Sequence, residues 1–132
     1  MKTVVLGVVA AALAMGMGGC RKGLIVEGKV LVGEVPFVLV VDRTDPRYTG
    51  QGEPGVTVAG RVNPSAASGE SLGEVVSDRK GAFWFRVREQ TAVARPIEFR
   101  ATGDGFMPTV GEIPSPPSGN RAVLILVKRV AP

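Results

Sequence analysis

The sequence has no histidine and a single cysteine, Cys20, among its 132 residues. The first absence removes the commonest general base and metal ligand. The second excludes an intramolecular disulfide and a thiolate zinc cage. Aromatic residues are scarce: one Trp, one Tyr and five Phe. The formal net charge is +4, and basic and acidic residues are interspersed, unlike the clustered basic face of a nucleic-acid reader, so no nucleic-acid partner is expected. Ser65, Ser68 and Ser71 sit in a Gly-rich stretch with no histidine to activate them, and an enzyme, a metal or a cofactor is not expected. Asp42, Asp45 and Glu53 offer oxygens without the spacing of an EF-hand loop, and are taken as solvated loop carboxylates.

Glycine (18) and proline (10) are abundant, and valine recurs throughout, a composition that favours short strands joined by tight turns. The clearest stretch is Ser77 to Val87. Asp78 suits the first position of a β-turn and Gly81 the last. Beyond them Phe83, Phe85 and Val87 alternate with Trp84, Arg86 and Arg88, the period of a strand with one buried face. Leu72 to Ser77 leads into this turn, so the two segments are expected to form a hairpin. Further strands are expected over Leu24–Val32, Phe37–Val41, Val56–Val62, Ile97–Thr102 and Arg121–Val130. Phe37–Val41 reads as a second strand buried on both faces or as a continuation of the first across a bulge near Gly33, with a separate strand favoured, and the apolar run Ala122 to Val127 suits a central strand. Pro54-Gly55 fits the middle of a type II turn, and Gly103-Asp104-Gly105 is a further turn. Asp42–Gly52 and Ile113–Asn120, the latter with Pro114, Pro116 and Pro117, read as loops.

The N-terminus is different in kind. Lys2 precedes an apolar run from Val4 to Met17, which is shorter than the roughly 20 residues a membrane span needs and ends in Gly18 and Gly19. This is the basic, hydrophobic and small-residue layout of a secretory signal. Met17-Gly18-Gly19-Cys20 resembles the lipobox of bacterial lipoproteins, with Met17 where Leu is usual. The resemblance implies cleavage between Gly19 and Cys20 and acylation of Cys20 by a diacylglyceryl group and an amide-linked chain such as palmitate. Arg21 stands where an Asp would resemble an inner-membrane retention signal, which implies the outer membrane if the source has two membranes. Residues 1–19 are thus expected to be a signal peptide with an apolar helix, 20–23 a lipidated Cys and short tether, and 24–132 one domain.

Gly28 to Val32, Pro54-Gly55-Val56-Thr57-Val58, Ser77-Asp78 to Gly81-Ala82-Phe83, Phe99-Arg100-Ala101 with Gly105-Phe106, and a closing hydrophobic strand together resemble the carboxypeptidase regulatory-like domain. That resemblance implies an all-β fold, a seven-stranded antiparallel Greek-key β-sandwich of transthyretin-like form, and a non-catalytic structural or binding role. Phe106 stands where the family commonly has Tyr, and the segment Gly33 to Glu53 is longer than the usual gap between its first two strands.

Trp84 falls on the outward face of its strand beside Arg86. An exposed Trp next to Arg can mark a binding surface, although a lone exposed ring needs no functional explanation. The expected function is a membrane-anchored, non-enzymatic lipoprotein with a structural or protein-binding sandwich at the cell envelope. The alternative is a carbohydrate-binding module centred on Trp84 and Tyr48, with an envelope polysaccharide as partner. Coplanar exposure of those two rings points to the sugar, and an apolar exposed strand edge points to a protein.

Overall fold

In the computed structural model, which describes residues 23–67, 69–88 and 95–131, period-two segments become strands and the Gly- and Pro-rich segments turn between them. The strands are β1 (Gly23–Val32), β2 (Phe37–Asp42), β3 (Thr57–Val62), β4 (Glu70–Val76), β5 (Ala82–Arg88), β6 (Ile97–Thr102), β7 (Phe106–Met107), β8 (Thr109–Ile113) and β9 (Arg121–Arg129). One short helix, α1 (Pro46–Thr49), lies between β2 and β3, with Asp45 capping it by accepting from the Arg47 N–H. The expected signal helix falls on residues outside those described.

Two sheets pack face to face. One runs β2-β9-β1-β5, with β7 also paired to β9, and the other runs β4-β3-β6-β8. The alternation of β5 is borne out: Phe83, Phe85 and Val87 are buried, while Trp84, Arg86 and Arg88 are exposed. Their inward side chains join Val26, Val30, Val123, Ile125 and Val127 of the same sheet against Val58, Val62, Ile97, Phe99 and Ala101 of the other. At the centre Phe83, Phe85 and Phe99 meet edge-on or tilted, with centroids 6.0 to 6.3 Å apart, a geometry that matches the ring quadrupoles. Complete burial of Phe99 contributes roughly 1.5–3 kcal/mol of transfer free energy.

Four expectations are corrected. Nine strands are present among the described residues, not seven. Part of the excess is the edge segment 106–113, which Pro108 divides: Phe106 and Met107 pair with Arg129 and Lys128, and Thr109 to Ile113 pair with β6 in the other sheet. The sandwich is also not wholly antiparallel, since β1 and β9 run parallel in the register Gly28↔Val123 to Val32↔Val127. The Pro-rich connection 114–120 delivers β9 to the same end of the sheet at which β1 begins. Phe37–Asp42 is a separate strand as expected, but it lies at an edge, and Phe37 is exposed.

The fourth correction concerns Asp78–Gly81, which does not close a hairpin: β4 and β5 belong to different sheets. The turn is held at both ends. Its start belongs to the β3 side, because Gly55 N–H donates to the Ser77 carbonyl and Ser77 N–H to that of Val56. Its end belongs to β1, because Val30 N–H donates to the Gly81 carbonyl. The four residues therefore step from one sheet to the other.

Candidate functional site

The step between sheets leaves β4 and β5 side by side as unpaired edges, and a groove of about 330 Å³ opens between them. Leu72 and Val75 line one wall, and Trp84, Phe85 and Arg86 the other. Trp84 is 56 % exposed on the outer face of β5, opposite Glu27 of β1. At the far end of the groove Arg88 of β5 pairs with Glu70 of β4 at 3.3 Å. The site is thus a strip of apolar side chains beside two strand edges, with cationic Arg86 at its rim.

The corner that makes the groove is rigid for reasons readable atom by atom. Asp78 accepts through one carboxylate oxygen from the Lys80 and Ala82 N–H groups, each at 2.9 Å. Gly81 N–H donates to the Asp78 carbonyl at 2.8 Å. The bonds from Ala82 and then Lys80 hold the Asp78 carboxyl below its ordinary pKa, because they favour the charged form. Gly81 has φ +82°, and a Cβ there would come within 2.6 Å of the Gly52 and Glu53 backbone. A side chain there would be strained by the conformation and would clash with that backbone.

Ser77, buried, has a role beyond opening the turn motif. Its hydroxyl accepts from Val56 N–H at 2.9 Å and donates to the Glu53 carbonyl at 2.8 Å. It thereby bridges the Pro54-Gly55 turn, in which Gly55 has φ +76°. Gly105 has φ +85° and its carbonyl accepts from Val130 N–H at the same end of the molecule.

Tyr48 lies elsewhere. The segment Asp42–Glu53 folds over the outer face of the β1 sheet, where Lys29 Nζ donates to the Gly50 carbonyl at 2.7 Å and sits 5.5 Å from the centre of the Tyr48 ring. Lys29 is only 8 % exposed as a result, although on β1 it alternates with Gly28 and Val30, which face the core. Burial, then the negative charge of Glu27, raises the Tyr48 pKa, with Arg43 opposing. Arg43 is paired with Glu27. Tyr48 is half-buried under this cover and does not line the Trp84 groove; the two rings share no platform.

Among the described residues no three His, Cys, Asp or Glu side chains converge as metal ligands. Asp45 is bound to Arg47 at 2.9 Å, and Glu53 lies 3.7 Å from Arg129. Ser71 accepts from Gly73 N–H; Ser68 lies outside the described residues. Gly19 and Cys20, the expected cleavage and acylation positions, also lie outside them. No helix of the described residues is long and apolar enough to cross a membrane. No protein-family model and no curated protein matches the chain.

Proposed function

We propose that this chain is a lipid-anchored, non-enzymatic lipoprotein of the bacterial cell envelope whose sandwich, of the carboxypeptidase regulatory-like, transthyretin-like Greek-key kind, binds an extended segment of a partner protein between β4 and β5. The observation that carries the binding role is the apolar groove with Trp84 at its rim, beside two edges that present unpaired backbone. An added strand gains main-chain hydrogen bonds from an edge and specificity from side-chain pockets, and Trp and Arg are the residue types that dominate such contacts. The sugar-binding alternative draws less support, because Tyr48 is engaged by Lys29 and contributes no second ring to the groove.

The anchor rests on Met17-Gly18-Gly19-Cys20. Several acyl chains, at about 0.8 kcal/mol per buried methylene, greatly exceed the marginal hold of a single myristoyl group. Detergent partition and the intact mass of the mature N-terminus test it: acyl mass on Cys20 is expected, with loss of membrane association in Cys20→Ala. Unmodified protein in the aqueous phase would reject the anchor. For the groove, a photo-reactive phenylalanine at position 84 is expected to give a discrete protein adduct in envelope membranes, whereas the same probe at exposed Val110, on the outer face of the other sheet, is not. A carbohydrate adduct at position 84 would transfer the role to sugar binding.

A further inference from the structure

At the opposite end of the groove from the Asp78 corner, the first residues of β1 have a neighbour on one side only. β5 pairs with them from Gly23↔Arg88 onward, but β9 joins on the other side only at Gly28↔Val123. The chain that runs beside them instead is the connection containing Pro116 and Pro117, and proline has no N–H with which to extend a ladder. A notch is left, in which Leu24 and Ile25 are 43 % and 41 % exposed beside these prolines, Arg43 and Arg121. Arg86 stands opposite Ile25. Acidic groups at this end are Glu27, already paired with Arg43, Glu70, paired with Arg88, Asp42, which lies beside Arg121 in the β2–β9 register, and Glu112, which lines an adjoining pocket with Pro116, Pro117 and Arg121.

We infer that this notch is a lipid-contacting surface that seats the β1 end of the sandwich on anionic phospholipid. The inference rests on the anchor reading above. From Cys20 to Gly23 the chain reaches at most about 10 Å even when extended, so an acylated Cys20 keeps this end at headgroup depth, where a bulky protein partner has no room. Arg21 and Lys22, which follow Cys20 in the sequence, add two positive charges to this tether. At physiological ionic strength the screening length is roughly 8 Å, so charges held this close to the surface still act on it. Exposed Leu24 and Ile25 then supply apolar contact, and Arg86 and Arg121 face phosphate.

The test supplies the anchor chemically. Both sheets and the core are built from residues after 22, so the chain from Cys20 to Pro132 can be coupled through its sole thiol to a maleimide phospholipid in phosphatidylcholine vesicles with or without phosphatidylglycerol. Amide exchange is then followed by mass spectrometry. Exchange at Ser115, Ser118 and Gly119 is expected to slow when phosphatidylglycerol is present, while Asp104 and Gly105 at the other end stay unchanged. Arg86→Gln and Arg121→Gln should each lower the docked population about five-fold. Ile25→Ser should weaken docking with an unaltered unfolding midpoint, and if that variant unfolds, the two arginine variants still decide. Equal exchange with and without phosphatidylglycerol, or protection that rises alike at both ends, would overturn the proposal. Because coupling replaces natural acylation, such a result is separate from a missing acyl mass on native Cys20, which would reject the anchor alone.

Discussion

The two long margins of the sandwich are both made of edge strands, yet one is shut at Gly111 and opens only at its Pro-rich end, into a pocket of about 360 Å³ lined by Val38, Val40, Glu112 and Ile113, whereas the other is open between β4 and β5. Between β2 and β8 the sheets close: a Cβ on Gly111 would lie 2.7 Å from the Cβ of Val38, so the glycine lets the two edges meet. The chain seals that margin further as it crosses at Pro108, where the Thr109 hydroxyl donates to the Leu126 carbonyl at 2.9 Å and Gly33 N–H to that of Val127. Between β4 and β5 the chain also crosses, but through a four-residue turn at one end only. Side chains at Leu72, Val75 and Trp84 then keep the edges apart along the rest. A margin closes where a small residue admits its neighbour, and it stays open where bulky side chains stand between the edges.

The comparison can be broken most severely at the corner of the open margin. Gly81→Val combines a left-handed conformation with a backbone clash, and should lower stability by about 3 kcal/mol in a denaturant titration. On the closed margin, Gly111→Val should cost about 2 kcal/mol by driving Val38 away. Its diagnostic readout is faster amide exchange in β2 and β8 with β4 and β5 unchanged; uniform loosening would mean that the two margins are not independent.

A smaller effect follows from Asp78. Its folded pKa lies below the ordinary carboxylate value, so its contribution is present above the unfolded pKa and is lost as pH falls below about 4 through the folded value. Asp78→Asn should therefore flatten the fall of the thermal midpoint over that window, with Asp104→Asn as a control, and parallel pH profiles in wild type and Asp78→Asn would remove the corner's charge from the account. The smallest change in stability is expected for Trp84→Ala, within about 0.5 kcal/mol because the ring is exposed. The partner binding proposed for the groove should be lost in that variant. A large loss of stability would instead make Trp84 a structural member of the open margin.

The strands with strong, uninterrupted alternation or a continuous apolar run were readable from residues alone: β5 through Phe83, Phe85 and Val87, and β9 as a central strand through Ala122 to Val127. β8 escaped, because Gly111 interrupts the alternation of Thr109 and Ile113 and Pro108 separates the strand from Phe106. The outward phase of Trp84 was legible, since it needs only the period of its own strand. The groove was not, because Leu72 and Val75 face Trp84 only through the placement of β4 in the other sheet. Lys29 shows the same limit: its phase on β1 points to solvent, and only the return of residues 42–53 over the sheet buries it.

Local sequence thus settles what a residue's immediate neighbours control: strand period, the turns at Asp78–Gly81 and Pro54-Gly55, and the absence of histidine and of a second cysteine. Which strands pair, whether a turn closes a hairpin or bridges two sheets, and which margin is left open were set in three dimensions. Those outcomes depend on contacts between segments far apart in the chain, such as Val30 with Gly81 and Val38 with Gly111, whose free energy no local window contains.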